Sequence, residues 1–185
     1  ESLQRKIDEF NPDIIFWSAV SSHIHGEGEY VNIQYGYELV SKIVSKAILI
    51  TGGIQATSNP KKILEKFEKI DYLIGGESEL ILQEIAGLVD KDPKLIANLN
   101  GISYLEKNTN KFIINPRQKI ISDMDKIPHY DYSLFDDQVF LRPYNGEVLR
   151  AIDYEMSRGC VFTCSYCVET ILQDYYTENK KVRGV

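Results

Sequence analysis

The sequence predicts an α/β fold in which helices cover a doubly wound parallel sheet. Between residues 4 and 90, three short apolar runs alternate with stretches of helical periodicity, which is the pattern of βαβ units. The runs show almost no polar alternation, as expected for strands that are buried on both faces. Each run ends in small residues, so the turns are expected at one edge of the sheet.

The first helix and strand are predicted near the start of the chain. Residues 4–10 have the pattern of the end of a helix, which Asn11 and Pro12 stop. Residues 14–20 form the first apolar run and predict a strand. A second helix is predicted from Tyr30 onward, because apolar residues then recur at helical spacing. They are Ile33, Tyr37, Val40 and Val44.

Two further strand and helix pairs follow. Residues 48–50 predict a strand that ends at Gly52–Gly53, and residues 72–74 predict another that ends at Gly75–Gly76. Between them, Ser58, Asn59 and Pro60 supply a cap and a first-turn proline for a helix through Phe67. The helix after the third strand is marked by Ile81, Ile85 and Leu88.

The rest of the chain divides into a hairpin, a connector and a new strand. Residues 101–104 and 112–115 flank Asn108–Asn110, which predicts a hairpin. Residues 116–150 carry three prolines and no regular periodicity, which favours a connector across the surface. Strand character resumes at 152–156. We therefore expect an α/β domain over 1–120, a connector over 121–150 and the start of a second domain over 151–185.

The glycine pairs matter because they follow strands of a parallel sheet. Ligands of open α/β sheets bind beyond the carboxyl ends of the strands, where glycine lets a ligand approach the backbone. Each pair also has a simpler explanation as a tight turn. Both interpretations stay open at this stage.

Composition narrows the class of protein. The chain has 185 residues, 43% hydrophobic and 26% charged, which is ordinary for a globular protein. Its net charge of −6, from 27 acids and 21 bases, argues against nucleic acid as a partner. No apolar run approaches the roughly 20 residues of a membrane span. We expect a cytoplasmic protein, with further residues upstream of Glu1, which is not an initiating Met.

All three cysteines lie close together, in the order Cys160-Val-Phe-Thr-Cys164-Ser-Tyr-Cys167. Thiolates are the usual ligands of iron–sulfur clusters, and three of them leave one iron of a 4Fe-4S cluster open for chemistry. A structural zinc site needs four ligands, and the three histidines are distant in sequence. An odd number of cysteines is also a poor disulfide framework. The spacing therefore favours a cluster over zinc or inert thiols.

The motif Cys-x-x-x-Cys-x-aromatic-Cys, with Tyr166 as the aromatic residue, resembles the signature of the radical S-adenosylmethionine superfamily. The run 157–160 is similar to the strand that opens that family's partial βα barrel. The resemblance implies that S-adenosylmethionine chelates the open iron and is cleaved to a 5′-deoxyadenosyl radical. It also implies an electron donor such as flavodoxin or ferredoxin. Tyr166 would contact S-adenosylmethionine, or it would pack in the core.

The N-terminal half is similar to the cobalamin-binding domains of cobalamin-dependent radical enzymes, whose sheets are flavodoxin-like or Rossmann-like. Residues 127–135 resemble the interdomain segment of those enzymes. Their Asp-x-His-x-x-Gly element, which supplies an axial histidine, does not occur in the chain. The similarity implies cobalamin contacts from six residues in three loops. They are Ser18, Val20, Gly52, Gly53, Gly75 and Gly76.

The resemblance implies that the parent enzyme catalyses cobalamin-dependent methyl transfer, and that this chain alone is an inactive fragment. The alternatives are a cobalamin-independent radical enzyme, such as a cyclase or methylthiotransferase, and a binding module without catalysis. The substrate is not readable from these residues. We expect surface roles for His23 and His25, and helix-dipole interactions for Glu77 and Glu79. Arg158 is expected either to tune the cluster or to form an ordinary salt bridge.

Overall fold

The computed structural model describes residues 2–18, 29–152, 157–176 and 183–184. In these ranges the sheet-forming and helical segments alternate through residue 89, as the sequence predicts. The elements are α1 Leu3–Phe10, β1 Ile14–Ser18, α2 Glu29–Ser41, β2 Ile48–Gly52, α3 Ile54–Ser58, α4 Pro60–Lys66, β3 Tyr72–Ile74, α5 Glu79–Val89, β4 Ile102–Glu106, β5 Lys111–Ile114, β6 Leu141–Tyr144, β7 Glu147–Arg150, β8 Ser157–Arg158, α6 Val168–Tyr175 and β9 Arg183–Gly184. Short 3-10 helices cover Pro93–Asn98, Met124–Lys126, Tyr132–Leu134 and Asp137–Phe140.

The main sheet has five strands in the order β1-β2-β3-β4-β5. β1, β2 and β3 pair in parallel, whereas β3 with β4 and β4 with β5 pair antiparallel. Four strands therefore point the same way and β4 opposes them. The short turn between β4 and β5 requires an antiparallel pair. The sheet is thus mixed and dominated by parallel strands, and the predicted hairpin extends it.

Helices cover both faces of this sheet, which explains the uninterrupted apolar runs in the strands. Successive strand residues point to opposite faces, so Leu73 and Ile74 enter different cores. Leu73 packs in a cluster with Ala56 of α3 and Leu64 of α4. On the other face lie the fully buried Ile50, Ile74, Ile85, Ile96 and Ile102, together with Ile81.

The second helix is shorter than the sequence indicates. α2 ends at Ser41, and Val44 lies beyond it with 76% of its surface exposed. The side chain of Gln4 accounts for this, because it accepts a hydrogen bond from Val44 N at 2.9 Å and donates one to Val44 O at 2.9 Å. Val44 is therefore bound to α1 and does not continue the helical face. The short helix α3 was not predicted, since its five residues are too few to show periodicity.

The segment 116–150 is less irregular than expected. β6 and β7 form an antiparallel hairpin whose two turn residues, Asn145 and Gly146, have φ angles of 48° and 82°. Positive φ at both positions is the type I′ turn for which Asn-Gly is the preferred pair. This hairpin was not predicted, although the Asn-Gly pair was present in the sequence.

The last part of the described chain carries the cysteines. β8 pairs antiparallel with β9, and α6 starts immediately after Cys167. Ile152 is not in a strand, and residues 153–156 of the predicted strand lie outside the described residues. Among the residues that the structure describes, no helix is both long and apolar enough to cross a membrane.

Candidate functional site

A cavity of about 830 Å³ lies between the sheet and the cysteine segment. Ser18 at the end of β1, Gly53 after β2 and Gly76 after β3 line it on the sheet side. Arg158 and Cys160 line it on the other side. Three of the residues that the sequence assigned to one sheet edge thus face a common space, opposite the first cysteine.

The other residues of that predicted set have different surroundings. Val20 lies outside the described residues, as do His23 and His25. Gly52 and Gly75 are not among the residues that line the cavity. A Cβ on Gly52 would lie 2.8 Å from Ser78 Oγ, so close packing explains this glycine.

The second glycine pair packs against two tyrosines. A Cβ on Gly75 would lie 2.7 Å from Tyr175 Oη, and one on Gly76 would overlap Tyr176 Oη. Gly76 also has a φ of 84°, which residues with a side chain rarely adopt. In this structure, the absence of side chains at Gly75 and Gly76 therefore lets their backbone lie close to the end of α6.

Side chains of α6 hold the backbone of the cysteine loop. Gln173 Nε2 donates to the carbonyls of Cys160 at 2.7 Å and Phe162 at 3.0 Å. Thr170 Oγ1 donates to the carbonyl of Cys164 at 2.9 Å. These contacts fix the path of the loop without using its sulfur atoms.

The three cysteines are free thiols, each partly exposed. The N–H of Phe162 points at Cys160 Sγ at 3.5 Å, and Cys167 is the N-cap residue of α6. The thiolate is the form of cysteine that binds metal. By donor type and access, Cys160, Cys164 and Cys167 fit an iron–sulfur cluster.

The three cysteine side chains do not form a ready-made metal site in the described part of the chain. Within the described ranges, no group of three or more His, Cys, Asp and Glu side chains is arranged to hold a metal ion. Thiolates brought together without a metal repel one another, so a thiolate site is commonly completed only when the metal binds. The loop supplies the three thiol donors in one short segment.

Tyr166 does not pack in the core. It is 90% exposed, and its neighbours Val161 and Phe162 are 74% and 66% exposed. The core-packing alternative for Tyr166 is therefore wrong. The residue is not among those that line the cavity.

Arg158 forms salt bridges to Glu77 in the loop after β3 and to Glu79 at the start of α5. Its Nη1 lies 3.2 Å from Glu77 Oε1, and its Nη2 lies 2.5 Å from Glu79 Oε1. The Arg158 and Glu77 side chains are 16% and 11% exposed. Glu79 does lie in the first turn of α5, as a helix-dipole interaction requires. The dipole explanation is nevertheless incomplete, since both carboxylates bind the same guanidinium.

Sequence reasoning missed the residues at the end of α6. Tyr175 and Tyr176 pack edge to face with ring centroids 4.9 Å apart. Arg117 Nη1 donates to the carbonyls of Asp174 at 2.6 Å and Tyr175 at 2.7 Å, and its guanidinium lies over the Tyr175 ring. Arg117 thus satisfies two carbonyls that a helix end leaves unpaired. No local pattern marks the contacts of Arg117, because its partners are more than 50 residues away in sequence.

Tyr175 is expected to titrate late. Burial raises the pKa of Tyr175 to about 12, against the weaker opposing effect of Arg117. Because the unfolded chain loses this proton near the ordinary pKa of about 10, stability should fall as the pH rises from about 10 to about 12. The measurement is the tyrosinate absorbance of the wild-type protein minus that of Tyr175→Phe. A difference curve with its midpoint near pH 10 would contradict the burial of this hydroxyl.

No protein-family model matches the chain. Among curated proteins, it is 26% identical over 184 residues to an anaerobic magnesium-protoporphyrin IX monomethyl ester cyclase of Cereibacter sphaeroides, and 25% identical over 186 residues to that of Rubrivivax gelatinosus. Each match covers 98% of this chain. The chain spans 28% and 31% of the length of these two relatives.

A third relative is the cobalamin-dependent radical SAM methyltransferase TokK of Streptomyces tokunonensis, 24% identical over 131 residues, which are 70% of this chain and 19% of TokK. The homologues of this chain include radical S-adenosylmethionine enzymes. A solved structure of the radical S-adenosylmethionine methyltransferase TsrM from Kitasatospora setae agrees in fold. It matches 97% of this chain and 34% of TsrM, with a TM-score of 0.58 and 18% identity.

Proposed function

We propose that this chain is part of a cobalamin-dependent radical S-adenosylmethionine enzyme whose reaction is methyl transfer. Cys160, Cys164 and Cys167 hold the 4Fe-4S cluster in this proposal, and the cavity receives cobalamin. The supporting observation is the cavity itself, which sets the carboxyl edge of the sheet opposite Cys160. An α/β sheet binds its ligands at this edge.

The residues around the cavity have separate roles in the proposal. Gly53, with φ 93° and ψ −171°, occupies a conformation open almost only to glycine and presents bare backbone to the cavity. Gln173 and Thr170 hold the loop carbonyls, so that the sulfur atoms stay available. When bound, the cluster with S-adenosylmethionine supplies a radical and cobalamin supplies a methyl group.

The domain limits belong to the same proposal. Residues 1–120 form the cobalamin-binding unit, 121–150 the connector and 151–185 the opening of the radical domain. Ser18, Gly53 and Gly76, which line the cavity, are the proposed cobalamin contacts, and Gly52 and Gly75 shape the turns of the sheet edge. Val20 belongs to the same proposal and lies outside the described residues. Tyr166, exposed on the loop, is available to S-adenosylmethionine, and a flavodoxin or ferredoxin supplies the electron.

The relatives differ in the reaction that their names describe. The two cyclases each match 98% of this chain, and TokK matches 70% of it. Methyl transfer is preferred because the sheet edge and the cavity provide for a methyl-carrying cofactor beside the cluster. A ring-closing reaction would leave a product without an added methyl group.

Anaerobic reconstitution of the full-length protein tests the proposal. With iron and sulfide, then S-adenosylmethionine and a reductant, we expect release of 5′-deoxyadenosine. With hydroxocobalamin, we expect the protein to keep the corrin colour through gel filtration. Each result follows from one of the two cofactor assignments.

The outcomes separate the candidate functions. A cluster-loaded protein that forms no 5′-deoxyadenosine would favour an electron carrier over an enzyme. A protein that loses the corrin colour would remove the cobalamin assignment while leaving the radical chemistry in place. The same protein without added iron serves as the control.

A further inference from the structure

Glu77 uses all of its polar atoms to join segments that are distant in sequence. Its N–H donates to Tyr176 Oη at 2.6 Å, and its carbonyl accepts from Gln118 Nε2 at 2.6 Å. Its Oε2 accepts from Ile121 N at 3.1 Å, and its Oε1 accepts from Arg158 at 3.2 Å. Glu77, in the loop between β3 and α5, thus contacts the connector and both ends of the segment that carries the cysteines.

The positions of two of these partners are informative. Arg158 lies two residues before Cys160, and Tyr176 follows the last residue of α6, the helix that begins just after Cys167. Glu77 therefore holds the entry and the exit of the segment that carries all three cysteines. Neither contact involves a cysteine sulfur, so the contacts leave the thiols free.

Burial makes the salt bridge between Glu77 and Arg158 sensitive to the loss of either partner. Glu77 is 11% exposed and Arg158 is 16% exposed. A charge left without its partner in such a place is strongly destabilising, since the desolvation cost remains while the attraction is lost. A lysine in place of Arg158 would lack the planar guanidinium fork with which arginine binds two carboxylates at once.

We infer that Glu77 is a positioning residue that sets the cysteine segment against the cobalamin-side edge of the sheet, acting through Arg158 and Tyr176. This inference rests on the proposed function, since it concerns where the cluster would be held. It assigns to a residue of the N-terminal domain a role in the geometry of the cluster site. The role extends beyond binding either cofactor.

The first test needs no cofactor. In the full-length, cluster-free protein, Glu77→Ala is expected to speed backbone hydrogen exchange in residues 157–176 by at least about tenfold, because Arg158 loses its bond to the Glu77 carboxylate, whereas the backbone N–H that donates to Tyr176 remains. The strands β1 and β2 should keep their wild-type exchange. Glu65→Ala is the matched control, since Glu65 is an exposed glutamate paired with Lys61 on α4.

The second test reads the cluster. In reduced, reconstituted protein, Glu77→Ala is expected to change the electron paramagnetic resonance spectrum per bound cluster and its response to S-adenosylmethionine. A purely structural role would lower the amount of loaded protein but leave that spectrum unchanged. Arg158→Lys should fall between wild type and Glu77→Ala in both tests.

Faster exchange together with an altered spectrum supports the inference, whereas wild-type behaviour in either test overturns it. If Glu77→Ala does not fold, Glu77→Gln takes its place, because the amide keeps the size of the side chain and removes its charge. A wild-type protein that binds no cluster contradicts the proposed function, and the exchange test then reports on the contacts alone.

Discussion

Replacing Cys164 by alanine in the full-length protein is expected to abolish stable cluster binding. The motif offers three thiols in one loop, so the loss of one leaves two of its sulfur ligands. Changes to outer partners of a metal site already cost about 10- to 100-fold in affinity or activity, and losing a direct ligand should exceed this. Iron content and 5′-deoxyadenosine formation are the measurements, and at least about a 100-fold loss of product is expected.

Ser165→Ala is the matched control for this prediction. Ser165 lies between Cys164 and Tyr166 in the same loop and is exposed, so the substitution should keep both iron and product near wild-type levels. If Cys164→Ala retained the cluster at wild-type occupancy, the assignment of the three thiols as its ligands would be wrong.

Replacing Gly76 by alanine is expected to destabilise the loop between β3 and α5 strongly. The added Cβ would overlap Tyr176 Oη and lie 2.9 Å from the Tyr175 ring, in a backbone with φ of 84°. Strain at positive φ and steric overlap together should cost about 2–4 kcal/mol. Hydrogen exchange of residues 72–89 in the full-length protein measures the local loss of stability.

Gly87→Ala is the control for the Gly76 variant. Gly87 lies inside α5, and a Cβ there would meet no atom within 4 Å. Alanine should therefore stabilise the helix by about 0.5–1 kcal/mol, because glycine is the poorer helix former. Equal effects of the two substitutions would show that the tyrosines do not restrict Gly76.

A double variant locates the cause of the Gly76 effect. Tyr176→Phe alone removes the acceptor of the Glu77 N–H and should cost about 1 kcal/mol. In combination with Gly76→Ala it also removes the atom closest to the new Cβ. The combined loss should therefore be smaller than the sum of the two single losses, as contacting residues allow. Strict additivity would contradict the direct overlap.

The sequence by itself determined the parts of the molecule that depend on near neighbours in the chain. The strand runs near Ile15, Leu49 and Leu73 were recognisable because burial on both faces selects apolar residues at every position. The cysteine motif was recognisable because its three donors lie within eight consecutive residues. The family likeness rested on the same motif and is confirmed by the relatives.

Only the tertiary structure decided which residues meet across the cavity. The partners of Glu77 are separated from it by 41 to 99 residues, and their spacing leaves no periodic trace. For the same reason the sequence explained Gly76 by a turn or a ligand, whereas its immediate neighbours are Tyr175, the last residue of α6, and Tyr176, which follows it. Contacts between distant segments depend on how whole elements pack, and a charge or a glycine looks the same in sequence whether it meets solvent or a buried partner.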